Sequence, residues 1–85
     1  MELLFTPDAW DDYLYWQERD KKIAKKINTL IQECIRNPYS GIGKPEPLRY
    51  ELAGCYSRRI DLEHRLVYEV AGDTLRVISC RYHYI

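Results

Sequence analysis

With 85 residues the chain has room for one domain of about five to seven elements, and a chain this short leaves roughly a third or more of its surface exposed. Its 46% hydrophobic and 31% charged residues exclude a disordered chain. Lys+Arg and Asp+Glu number 13 each, so the net charge is zero; this argues against a domain that holds free RNA by bulk electrostatics, and any nucleic-acid site must be a local cluster.

In chain order, Glu2 to Phe5 is a short apolar run that predicts a strand. Thr6-Pro7-Asp8 predicts a helix start, because Thr6 can cap, Pro7 fits the first turn and Asp8 suits the positive end of the helix dipole. Trp10, Tyr13, Leu14 and Trp16 then share one broad stripe. Asp20 is a cap for a second helix, whose Ile23, Ile27, Leu30, Ile31 and Cys34 form a tight apolar stripe opposite Lys21, Lys22, Lys25, Gln32 and Arg36. Asn37-Pro38 ends it. The short link predicts a helical hairpin. Residues 38–47 hold most of the Pro and Gly and predict a loop. After it the period changes to two: Leu48, Tyr50 and Leu52 alternate with Arg49 and Glu51, and Ala53-Gly54 turns the chain. Residues 55–61, 64–70 and 74–82 predict three more strands, with turns near Glu63 and at Gly72-Asp73. Two helices followed by a strand meander indicate an α+β fold with both helices on one face of a sheet.

Cys34, Cys55 and Cys80 are odd in number, contain no CxxC and make no zinc pattern with His64 and His83. Reduced, buried thiols in a cytoplasmic protein are the expectation, with no metal and no cofactor. Leu3-Leu4-Phe5 is too short for a signal-peptide core, and no apolar run approaches the ~20 residues that span a bilayer.

Neighbouring side chains of a strand point to opposite faces. If the apolar positions lie under the helices, Arg49, Arg59, Arg65, Arg81 and His83 collect on the other face. The plain explanation is the solvated side of a one-sided sheet. From the pattern alone that explanation is the favoured one; its weakness is the near-exclusive use of arginine, which suits bidentate phosphate recognition. Glu46 stands between Pro45 and Pro47, and a residue before proline is pushed towards extended geometry, so Lys44 and Glu46 should both be restrained. A restrained carboxylate suits a general base, although a solvated loop glutamate is the plainer reading. His83 falls beside Arg81 by parity and can exchange protons near neutral pH. His64, at a turn, reads as a surface or strand-end residue.

Trp10-Asp11-Asp12-Tyr13, Gly43-Lys44-Pro45-Glu46-Pro47-Leu48, Ser57-Arg58-Arg59-Ile60, Glu63-His64-Arg65-Leu66-Val67-Tyr68 and Cys80-Arg81-Tyr82-His83-Tyr84 together resemble the YoeB toxin family of the RelE/ParE superfamily. The resemblance runs nearly end to end. It implies a fold like the small microbial ribonucleases, with two N-terminal helices on a twisted, mainly antiparallel sheet. It implies the toxin of a type II toxin–antitoxin system, which enters the ribosomal A site and cuts mRNA there to leave a 2′,3′-cyclic phosphate and a 5′-hydroxyl. Neutralisation by a YefM-type antitoxin and a homodimer are implied as well. By the same resemblance Glu46 is the base, Arg65 stabilises the phosphate with support from Arg59, His83 is the acid and Tyr84 positions the nucleotide. Lys44, Arg49 and Arg81 would contact RNA. An ordinary glutamate titrates near ~4.3, so Glu46 and His83 could share or exchange the two proton-transfer roles. Two rivals remain at this level: a non-enzymatic toxin like the ParE branch, and an interaction domain that docks an acidic partner on its arginine face.

Overall fold

The computed structural model describes residues 1–82. In chain order it contains β1 (Glu2–Phe5), α1 (Pro7–Arg19), α2 (Lys21–Arg36), β2 (Glu46–Pro47), a 3₁₀ turn (Tyr50–Leu52), β3 (Tyr56–Arg59), β4 (Arg65–Ala71) and β5 (Thr74–Ser79). The strands form one sheet in the order β1-β5-β4-β3-β2. β1 pairs parallel with β5, and the other pairs are antiparallel. This is the α+β architecture that the sequence predicts.

Both helix starts follow from their caps. Thr6 Oγ1 accepts from the Ala9 N–H at 3.1 Å and donates to the Ile78 carbonyl at 3.0 Å, so the same hydroxyl that starts α1 ties it to β5. Asp20 ends α1 and caps α2, accepting from the N–H groups of Lys22 and Ile23. With a one-residue link the helices pack on each other, and Tyr13 Oη donates to Asn28 Oδ1 at 2.8 Å.

Trp16, Ile27, Leu30 and Cys34 meet Leu66, Tyr68, Leu75 and Val77 in the main core. Ile27, Leu30, Leu66, Leu75 and Val77 are wholly buried, each contributing roughly 1.5–3 kcal/mol from removal of apolar surface from water. All three cysteines are buried free thiols. Trp10 and Leu14, on the predicted stripe of α1, stay 47% and 41% exposed instead of entering this core.

The alternation over 48–52 does not build a strand. Tyr50 takes φ +58°, a 3₁₀ turn forms, and Tyr50 is exposed. Leu48 and Leu52 pack with Cys55, Val67 and Ile78 in a second small cluster. Val67 and Ile78 have the opposite parity to Leu66, Tyr68 and Val77, so this cluster lies on the sheet face away from the helices. The segment that reads as a strand is therefore a partial roof over that face.

Candidate active site

β2 is only two residues long, yet it fixes where Glu46 stands. Glu46 pairs with Ser57 on β3, and Ser57 pairs with Val67 on β4. Two residues along, Arg59 of β3 pairs with Arg65 of β4. By strand parity Glu46, Arg59 and Arg65 share the face away from the helices. The diagonal step from Glu46 to Arg59 is about 7–8 Å between backbones. Like charges placed opposite each other on a sheet repel, so the Arg59–Arg65 pair favours an anion between them.

Arg65 is half-buried and held by its own turn. Its Nη1 donates to the carbonyls of Asp61 at 2.8 Å and His64 at 3.1 Å. That turn is shaped by Asp61, whose Oδ1 accepts from the N–H groups of Glu63 and His64. Arg59 is exposed. Arg49 is exposed as well and lies with Glu46, Leu48 and Leu52 along one groove.

Lys44 is exposed, but its backbone departs from the expectation. It takes φ +51° in place of the extended geometry expected before proline. Gly43 beside it takes φ +82°, and its carbonyl accepts from the Arg59 N–H at 2.6 Å. This tertiary bond holds the tight bend that delivers Glu46 to β2.

Arg81 is not on the arginine face. β5 ends at Ser79, so the parity that placed Arg81 beside Arg65 no longer applies. Its guanidinium lies 3.6 Å over the Tyr15 ring of α1 and 4.6 Å from the Tyr82 ring. The nearby Asp12 carboxyl is raised above its ordinary value by burial, with the Cys80 N–H and Arg81 opposing the rise. His83 and Tyr84 lie outside the described residues.

His64 is buried, contrary to the surface reading, and its ring stands edge-on to Trp16 at 4.7 Å. Arg58 is wholly buried, and its guanidinium reaches the carbonyls of Asn37, Ser40 and Ile42 in the loop after α2. The signal for Arg58 was present, because it shares parity with Tyr56 and Ile60. For His64 no periodic signal exists.

Among known proteins, the family model described as "YoeB-like toxin of bacterial type II toxin-antitoxin system" matches residues 5–84. The chain belongs to the YoeB-like toxin family. Toxin YoeB of Escherichia coli strain K12 is 58% identical over 84 residues, spanning 99% of this chain and 100% of that one. A YoeB/ParE toxin from Agrobacterium tumefaciens is 51% identical with a TM-score of 0.96, covering 99% and 100% of the two chains. The Staphylococcus aureus relative is about half identical and covers 99% of this chain and 98% of its own. It is solved as a YoeB–YefM complex with a TM-score of 0.91 and as a YoeB dimer with a TM-score of 0.92. The YoeB-like fold, within the RelE/ParE superfamily, thus frames the Glu46–Arg59–Arg65 face.

Proposed function

We propose that this YoeB-like toxin is a ribosome-dependent endoribonuclease that cuts mRNA in the A site. The observation that carries the proposal is the register that sets Glu46 one strand from Arg59 and two strands from Arg59's partner Arg65, on one face of the sheet. A 2′-hydroxyl is itself the nucleophile, so the chemistry asks the protein for a base, a cation and an acid. Glu46 takes the 2′-hydroxyl proton as the 2′-oxygen bonds to phosphorus. Arg65, with Arg59, offsets the charge that builds on the phosphoryl oxygens. The bond to the 5′-oxygen breaks, and His83 supplies that oxygen with its proton. Tyr84 positions the nucleotide, while Lys44 and Arg49 hold the RNA backbone. The products are a 2′,3′-cyclic phosphate and a 5′-hydroxyl, and no metal takes part. In the cell a YefM-type antitoxin binds the toxin; the Staphylococcus aureus relative is solved in complex with YefM.

Mapping mRNA 5′ ends on purified ribosomes, with and without the protein, tests the reading directly. New ends should appear in the A site, persist in EDTA with ribosomes kept intact, and vanish when the cut nucleotide carries a 2′-hydrogen. Glu46→Ala and His83→Ala should bind ribosomes normally and cut about 10²–10⁴-fold more slowly. Arg65→Ala should cut ~10²–10³-fold more slowly and also lose some binding. Because the three act as a unit, double variants should lose less than the product of the single losses. Normal binding with wild-type cutting by the Glu46 and His83 variants would reject the proton-transfer roles and leave a ParE-like inhibitor as the better reading.

A further inference from the structure

Tyr82, the last described residue, is gripped by the turn that carries Arg65. Its N–H donates to Nδ1 of His64 at 2.7 Å, and its carbonyl accepts from the N–H of Arg65 at 3.1 Å. Both polar groups of the Tyr82 backbone are thus held by two consecutive residues. The grip acts on a strained backbone, since Tyr82 has φ +64°, a conformation that non-glycine residues keep only when their surroundings impose it.

His64 is built to serve as the fixed half of this clasp. It is only 7% exposed, stands edge-on to Trp16 at 4.7 Å and meets the Tyr82 ring at 5.6 Å. Its own N–H donates to Asp61 Oδ1 at 2.6 Å, and its carbonyl accepts from the Ile60 N–H at 3.0 Å. With Nδ1 accepting from Tyr82, the ring proton sits on Nε2, which lies 3.4 Å from Glu63 Oε1. A histidine that merely filled core space would not need to direct its acceptor at the residue preceding His83. The carbonyls of the same turn, at Asp61 and His64, hold the Arg65 guanidinium. One turn therefore sets both the phosphate-facing cation and the start of the C-terminal segment.

We propose that His64 is a positioning residue for RNA cleavage: its Nδ1 clasps the Tyr82 backbone and so fixes Tyr82, the residue before His83, relative to Arg65. The proposal rests on the nuclease reading given above.

Two substitutions of similar polarity separate the clasp from space filling. In His64→Asn the Oδ1 atom stands where Nδ1 stood and can still accept; in His64→Gln the carbonyl reaches towards the Nε2 position instead. Each variant is compared with wild type for amide exchange at Tyr82, ribosome affinity and single-turnover cutting. His64→Gln should lose protection of the Tyr82 amide and cut ~10–10²-fold more slowly at unchanged ribosome affinity, because small misplacements of reacting groups carry penalties of that order. His64→Asn should retain most of the protection and most of the rate. Equal losses in the two variants, or wild-type cutting by a His64→Gln protein whose Tyr82 amide is unprotected, overturn the proposal. Wild-type protein that shows a protected Tyr82 amide but does not cut ribosome-bound mRNA overturns the nuclease reading, and the positioning role falls with it.

Discussion

Arg58 shows how one buried side chain can hold a loop. Its Nη2 donates to the carbonyls of Asn37 and Ser40, its Nη1 to that of Ile42 and its Nε to the Tyr68 hydroxyl. Tyr68 in turn donates to the Pro38 carbonyl at 2.6 Å. A planar guanidinium presents its donors in a fixed fork, which an ammonium cannot reproduce. Arg58→Met should therefore strip the loop of its partners and cost about 3 kcal/mol or more, with Arg58→Lys a poor rescue; urea midpoints measure both. Tyr68 gives a test in pH. Burial, partly opposed by Arg58, pushes its hydroxyl from 10.0 up to about 12. The folded state then holds this proton more tightly than the unfolded state does. Its stabilising effect is complete below 10.0 and is lost as pH rises towards about 12. Tyr68→Phe should be less stable at neutral pH and lack this alkaline step. Cys80, also pushed up to about 12, remains in both proteins and cancels in the difference between their urea midpoints, which then reads Tyr68 together with its coupling to the buried Cys34 thiol.

At the scale of elements, the short β2 depends on the bend before it. A Cβ on Gly43 would lie 2.9 Å from Leu30 Cδ2 and 3.1 Å from Arg58 Cβ, at a φ of +82° that disfavours side chains. Gly43→Ala should cost about 1–3 kcal/mol and shift Glu46, so thermal stability and single-turnover cutting should fall together. The helices were legible because the 3.6-residue period and the caps Thr6 and Asp20 are local signals. The meander was legible from alternation and from Gly72-Asp73. Residues 48–52 were misread because period two says which side chains share a face, not what covers that face. Leu48 and Leu52 satisfy the same pattern by roofing Val67 and Ile78. Arg81 was misplaced because its parity depended on a strand that stops at Ser79. Within the site, parity puts Arg59 and Arg65 on one face from the residues alone, whereas Glu46 reads as a loop residue and joins them through the two-residue β2 paired with β3. The burial of His64 could not be read, because it depends on Trp16, far away in the chain.

The whole molecule leaves apolar surface around β1 and α1: Leu3 and Leu4 are each 45% exposed, and Trp10 is 47% exposed with its ring stacked on Tyr13. We expect a homodimer that uses this surface. Sedimentation at micromolar concentration should show dimer, and Trp10→Ala with Leu14→Glu should shift it to monomer; monomeric wild type rejects the expectation. Charge sets the remaining prediction. Zero net charge gives the protein no long-range pull on RNA. Lys44, Arg49, Arg59 and Arg65 are the four cations proposed to touch RNA on the Glu46 side. Four phosphate contacts on a single strand give a slope of at most about −3 in log affinity against log salt. Binding to a free oligonucleotide should accordingly be weak and only mildly dependent on salt, and Lys44→Ala should flatten the slope by ~0.7. The same message held in a ribosome reaches the site already positioned, so cutting there should be faster by orders of magnitude at equal protein concentration. Filter binding across a salt series, beside cleavage of free and ribosome-bound message, measures both halves. Tight, steeply salt-dependent binding of free RNA, with equal cutting rates in the two settings, would show that the protein recruits RNA by its own charge and needs no ribosome.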